Sequence, residues 1–382
     1  MTAFVDNSEK NELENEARRI PISILSGFLG SGKTTLLNDL MRRPELRRTL
    51  VIINEFGEVG LDHDLMVHSS DDVIVEMSYG CVCCTLRRDL VKTLRDAPGR
   101  FSRGGVAWFD RVILETTGIA DPAPIINTLM NDPKISRLYR LDGVVVTVDA
   151  ANGSETLDEQ IDAVKQAAVA DRLLITKTDL VDPETSQELQ ERLSRLNPAA
   201  TQLAVTHGNA SPETLFDLGL YDPTTKSLNV QNWLHSEAYT DGDDQEMSPS
   251  QRARARRHTE EIQSICLTLD EPVTADALTS WFERLKALKS AEFLRMKGII
   301  NLAGSNKPVI VHGVQHIFHP LVTLDKWPSG DQRSRIVFIT RGIEEETLRD
   351  TLELLRVEPL PAAKSHLMPV QDAHSNRLGD LR

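Results

Sequence analysis

Three of the four cysteines in this 382-residue chain fall within four positions, Cys81-Val82-Cys83-Cys84. Thiolates held this closely suit zinc, copper(I) or iron–sulfur chemistry. Zinc prefers four ligands, so three thiolates leave one position for water, another side chain, a partner or a second subunit. An incomplete site of that kind can load and release a metal. Redox chemistry is the alternative use, since Cys81 and Cys84 have the Cys-x-x-Cys spacing. Cys81 and Cys83 are too close for an ordinary bridge, and a vicinal Cys83–Cys84 disulfide would be strained. Metal binding is the reading adopted. Cys266 alternates with Ile265 and Leu267 and reads as a small core residue.

A second chemistry lies upstream. Gly27-Phe28-Leu29-Gly30-Ser31-Gly32-Lys33-Thr34 fits G-x-x-x-x-G-K-[ST] in full, after an apolar run and before a helical one. Gly27, Gly30 and Gly32 let backbone N–H groups, with that of Ser31, turn inward around phosphate oxygens. The following helix N-terminus adds partial positive charge. Lys33 is expected to reach the β- and γ-phosphates and Thr34 to ligate magnesium, with Thr35 completing the nucleotide-binding set. Downstream, Arg111-Val112-Ile113-Leu114-Glu115-Thr116-Thr117-Gly118 reads as a buried strand ending in an acid. Glu115 can hold magnesium directly or through water. Gly118 would let a backbone N–H meet the γ-phosphate, so Lys33, Glu115 and Gly118 are the candidate catalytic residues.

Thr176-Lys177-Thr178-Asp179 resembles the base-reading N-K-x-D element of GTPases. Asp179 could accept hydrogen bonds from guanine N1–H and N2–H, which adenine lacks, and an unpaired buried acceptor would disfavour ATP. Lys177 would pack its stem across the base or the phosphate loop. Thr176 stands where asparagine is usual and lacks the amide's two-ended geometry. Glu55 and Glu58, in Asn54-Glu55-Phe56-Gly57-Glu58, could contact magnesium or a transiently bound metal. His63 and His68 are further possible ligands. His312, His316 and His319 form an H-x3-H-x2-H group in a stretch that otherwise alternates like a strand and turn.

Positioning these residues calls for two folded units. Short β-branched runs at Ile22-Ser23-Ile24-Leu25, Leu50-Val51-Ile52-Ile53, Asp72-Val73-Ile74-Val75, Arg111-Val112-Ile113-Leu114, 144–148, Leu173-Leu174-Ile175 and Leu203-Ala204-Val205 alternate with helical segments. Continuous apolar strands between helices imply an α/β domain whose mostly parallel sheet is covered on both faces. An acidic, turn-rich stretch follows, and then the basic run 252–257, read as solvated linker. Strands at 262–269, 297–303, 309–314 and 334–340, with helices at 274–288 and 344–355, form a smaller α+β domain. The expected boundaries are a flexible tail at 1–19, a nucleotide domain at 20–225, a linker at 226–258, a second domain at 259–360 and a flexible tail at 361–382.

Composition narrows the function classes. A formal net charge of −14 argues against general nucleic-acid binding, which needs a basic face. No apolar stretch is long enough to span a membrane, and the polar, acidic N-terminus has no signal-peptide core. A cytoplasmic protein with reduced thiols is expected.

Taken together, GFLGSGKTTLL from Gly27, NEFGEVGLD from Asn54, GCVCC ending at Cys84, ETTGIADP from Glu115 and TKTDL from Thr176 resemble the CobW-type P-loop GTPases, a metallochaperone family related to UreG and HypB. The resemblance spans about 20–220 and again 259–355. It implies a Rossmann-like P-loop domain with a CobW-type C-terminal domain. It also implies GTP hydrolysis with Mg2+, tied to delivery of Zn2+ or, in some branches, Co2+ to a metal-dependent client protein. Cys81, Cys83 and Cys84 look like the family's internal metal site. Relatives commonly form nucleotide-dependent homodimers. A long histidine-rich tract is absent here, which favours a transient carrier over bulk storage. The rivals are a cobalt-handling insertase, a P-loop kinase, and a metal-sensing GTP-binding regulator with little turnover that contacts nucleic acid through 252–257.

Overall fold

The computed structural model describes residues 19–55, 73–78, 83–216, 262–287, 293–315, 317–318, 321–324, 326–328 and 330–356. Residues 1–18, the linker at 226–258 with its basic run, and the tail at 361–382 lie outside them. So do Cys81, Glu58, His63, His68, His316, His319 and the expected domain boundaries at 225/226, 258/259 and 360/361.

The first unit is built on strands β1 (Ile20–Gly27), β2 (Thr49–Glu55), β3 (Val73–Ser78), β4 (Arg111–Glu115), β5 (Tyr139–Asp149), β6 (Arg172–Thr176) and β7 (Thr201–Val205). They form one sheet in the order β3-β2-β4-β1-β5-β6-β7, and every pairing is parallel. The crossovers carry α1 (Lys33–Met41), α2 (Cys83–Arg100), α3 (Ala123–Asn131), α4 (Gly153–Glu159), α5 (Ile161–Val169) and α6 (Pro183–Leu196). Ile22, Ile24, Leu50, Ile52 and Val112 face one core, and Leu25, Val51, Ile53 and Ile113 face the other with Leu36, Leu37 and Leu40 of α1. Burial on both faces is why these strands read as unbroken apolar runs. Each fully buried Ile or Leu contributes about 1.5–3 kcal/mol relative to exposure.

The second unit comprises β8 (Ile262–Leu269), α7 (Ala275–Ala287), β9 (Phe293–Ile300), β10 (Val309–Val314), β11 (Ile317–Phe318), β12 (Val322–Thr323), β13 (Ser334–Arg341) and α8 (Glu345–Arg356). Its sheet runs β8-β13-β9-β10-β11, with β12 against β10, and its pairings are antiparallel. Trp281 of α7 and Leu348 and Leu352 of α8 close one face with Met296 and Phe338. On the other face, Ile262, Leu294, Val314 and Ile339 join the core of the parallel sheet. The strand expected at 297–303 is corrected to Phe293–Ile300. Arg295 and Lys297 hide its start from a hydrophobicity reading, because both are buried by ion pairing across the domain boundary.

Among the described residues, no helix is long and apolar enough to cross a membrane.

Candidate functional site

The phosphate loop leaves β1 at the carboxyl edge of the parallel sheet, where ligands bind in open α/β folds. Gly27 has φ of 140°, and a Cβ there would lie 2.2 Å from Thr147 Oγ1 and 2.6 Å from the Thr147 carbonyl oxygen. Both conformation and space therefore require glycine. Gly32, with φ of 94°, is the residue from which α1 starts. Ser31 and Thr147 share a hydroxyl hydrogen bond of 2.7 Å, pinning the loop to β5. The Lys33 ammonium folds over the loop and donates to the carbonyls of Gly27 (2.8 Å) and Phe28 (3.2 Å). Thr34 is half-buried and Thr35 exposed in the first turn of α1. This cradle fits a polyphosphate: glycines at positive φ, a helix N-terminus, and an ammonium arched over the opening.

Glu115 ends β4, buried, with its neighbours in register Leu25 of β1 and Ile53 of β2. Thr116 continues the pairing through its N–H to the Leu25 carbonyl (2.9 Å) and its hydroxyl to Ser26 (2.9 Å). A Cβ on Gly118 would lie 2.6 Å from the Leu29 backbone nitrogen and 2.8 Å from its Cα. Close approach alone reserves that position for glycine, and it brings the 118 loop against the phosphate loop. A half-buried threonine and a buried carboxylate flanking the cradle are a donor set suited to magnesium, a hard cation that takes oxygen ligands.

The segment expected to recognise the base leaves the end of β6. Thr176 donates its hydroxyl to the Ser31 carbonyl (2.7 Å), with Val148 O 3.2 Å away. The threonine standing in for asparagine thus ties this strand end to the phosphate loop. Lys177 takes left-handed φ of 56°, and its ammonium donates to Asp149 Oδ2 at 2.6 Å. Asp149 also accepts from Ala151 N–H (2.8 Å) and Asn152 Nδ2 (3.0 Å). Burial pushes the Asp149 carboxyl up, but these donors outweigh it and hold it below the usual range. Asp179 is exposed on the turn that follows, and exposed His207 Nε2 lies 4.0 Å from its Oδ2.

The thiol segment emerges from the same edge of the sheet. Cys83 and Cys84 open α2, five residues after β3 ends at Ser78, a helical position where negative charge is favoured. Glu55 ends β2 opposite Ser78. Strand β3 lies three places from β1, roughly 14 Å across the sheet. Cys81 lies outside the described residues, so the thiol set is not assembled among them. No group of three or more His, Cys, Asp or Glu positioned for a metal occurs among the described residues. His312 is buried in β10 opposite Lys297, away from this edge.

Four contributors escape a motif reading. Asp149 ends an apolar strand just as Glu115 does, and that signal was there to be found. Thr147, Gln166 and the 206–208 turn carry none; a Cβ on Gly208 would lie 2.8 Å from the Thr35 carbonyl oxygen.

Residues 21–204 match the model described as CobW/HypB/UreG, nucleotide-binding domain, and residues 262–356 match the cobalamin synthesis protein cobW C-terminal domain. The zinc chaperone YjiA of Escherichia coli (strain K12) is 33% identical over 339 residues, covering 88% of this chain and 99% of YjiA. The chain belongs to the CobW/HypB/UreG family. The zinc-regulated GTPase metalloprotein activator 1 of Saccharomyces cerevisiae is 29% identical, covering 89% of this chain and 85% of that protein. The crystal structure of Zn(II)-bound YjiA GTPase from E. coli aligns with a TM-score of 0.62 at 28% identity, over 89% of this chain and 99% of that one. The parallel nucleotide-binding domain and the separate antiparallel C-terminal domain are the architecture of this CobW-type family.

Proposed function

We propose that this family member is a GTP-hydrolysing metallochaperone that carries zinc on Cys81, Cys83 and Cys84 and hands it to a client protein under nucleotide control. One observation carries the reading: the phosphate cradle, the Glu115–Gly118 turn and the segment opening with Cys83 all leave the carboxyl edge of a single sheet. The relatives named as zinc chaperones and a zinc-regulated GTPase support the same chemistry.

Lys33 and the loop N–H groups bind the β- and γ-phosphates. Thr34 and Glu115 would hold magnesium, which would supply positive charge to the phosphate oxygens. Gly118 meets the γ-phosphate through its N–H, and Asp179 selects guanine by accepting from N1–H and N2–H. Loss of the γ-phosphate releases the Gly118 turn and the Glu55 end of β2, as in other switch proteins. The thiols between them in sequence then lose metal-binding geometry. Linkage makes the effect reciprocal, so zinc must tighten GTP by the same factor that GTP tightens zinc.

The test is a competitive zinc titration of wild type and Cys83→Ser, with GDP and with a non-hydrolysable GTP analogue. Wild type should bind zinc at least about tenfold tighter with the analogue, a coupling of about 1.4 kcal/mol, and Cys83→Ser should lose that difference. Equal affinity in the two nucleotide states sinks the mechanism. Running cobalt(II) in parallel separates the zinc reading from a cobalt-handling insertase.

A further inference from the structure

The 118–121 loop is gripped from two sides by amide side chains that no motif announces. Gln166, in the middle of α5 and 0% exposed, donates its Nε2 to the carbonyls of Gly118 (3.1 Å) and Ala120 (3.0 Å). Its Oε1 is buried with no hydrogen-bond donor among the described residues. A buried acceptor left unpaired opposes folding, so packing alone does not account for a glutamine here. Beside the loop lies a cavity of about 230 Å³ lined by Phe28, Leu29, Asp149, Leu157, Gln166 and Lys177.

The second grip comes from the other domain. Gln315, in the turn between β10 and β11, donates its Nε2 to Asp121 Oδ2 at 3.0 Å. The other carboxylate oxygen, Oδ1, accepts from Ala123 N–H (2.9 Å) at the start of α3. Among the described residues, non-glycine positive φ occurs at Lys177, His207 and Gln315. This backbone conformation is disfavoured for residues with a Cβ and tends to persist where function needs it. Two of the three flank Asp179, and the third reaches the Gly118 loop. The C-terminal domain also holds the end of α5, because Arg295 of β9 donates to the carbonyl of Val169 and to the Asp171 carboxylate. One domain therefore reaches the loop directly through Gln315 and indirectly through the helix that carries Gln166.

We propose that the C-terminal domain sets the rate of GTP hydrolysis by fixing the 118–121 loop through Gln315, with Gln166 as the second positioning residue. The proposal rests on the reading that Gly118 meets the γ-phosphate. A loop already held in place needs no reorganisation during phosphoryl transfer, so both amides act on kcat rather than on GTP binding.

Steady-state GTP hydrolysis by the full chain tests it. Gln315→Ala should lower kcat about fivefold and Gln166→Leu at least about tenfold, each with KM for GTP within about twofold of wild type. The double variant should fall within about twofold of Gln166→Leu, because both act on one loop. Gln315→Lys, whose ammonium can still donate to Asp121, should restore most of the kcat lost in Gln315→Ala without a change in thermal midpoint. A wild type that does not hydrolyse GTP overturns the parent reading. A wild type that turns over, with Gln315→Ala within twofold of it or with no rescue by lysine, overturns only the domain coupling.

Discussion

Two carboxylate–ammonium pairs lie at opposite ends of β6. Asp149 ends β5 opposite Thr176, and Lys177 reaches it at 2.6 Å. Asp171 precedes β6 at the other edge, where Lys297 reaches it at 3.0 Å and Arg295 pairs with it as well. The chemistry is alike and the setting is not. The Asp149 and Lys177 side chains are 10% and 35% exposed, against 0% for Asp171 and 2% for Lys297. Burial pushes the Asp171 carboxyl up, but Arg295, Lys297 and the Val144 N–H hold it well below the carboxylate range. Burial, then the neighbouring Arg295 charge, lowers the Lys297 ammonium to about 8. The carboxyl edge thus has a pair that can respond to a ligand. The amino edge has a pair that bolts two domains together.

The largest break in that comparison is Asp171→Ala. It strands two buried cations and should cost about 3–5 kcal/mol of unfolding free energy in urea titration. A loss below 1 kcal/mol would mean the cluster is not a lock. Asp149→Asn should act on function instead. Lys177 loses its anionic partner, so KM for GTP should rise about five- to tenfold, roughly 1 kcal/mol. Its urea midpoint should stay near wild type, and a stability loss like that of Asp171→Ala would erase the distinction.

The pH dependence sharpens it further. Between about 8 and the unfolded value near 10.4 the unfolded chain binds more protons at Lys297 than the folded one, so stability rises with pH there. Wild type should gain about 1 kcal/mol over Lys297→Met between pH 7 and 9, and parallel curves for the two proteins would refute the assignment. Asp171, also depressed, has the same sign in a lower window, its contribution present above about pH 4 and lost on acidification.

Local signals carried much of the fold. The seven β-branched runs all became strands of the parallel sheet, because strands covered on both faces must be apolar throughout. The glycines of the phosphate loop were legible because Gly27, Gly30 and Gly32 all take positive φ, and at Gly27 close approach excludes a Cβ as well. The strand at Phe293–Ile300 was legible only in part, because Arg295 and Lys297 look like surface residues until Asp171 is set against them. Asp171 and Lys297 are far apart in sequence, and no window of local pattern joins them.

The sequence by itself determined the family, the α/β order, and a phosphate cradle followed by three clustered thiols, an acid and a Thr-Lys-x-Asp turn. Those features are short-range, each set by a few neighbouring residues whose types the chemistry dictates. Only the tertiary structure decided that Thr176 straps the end of β6 to Ser31, that Asp149 holds Lys177, and that Gln166 and Gln315 grip the loop after Glu115. Each is a hydrogen bond between distant segments, made by residues whose types are common on any surface. Their meaning comes from what folding places opposite them.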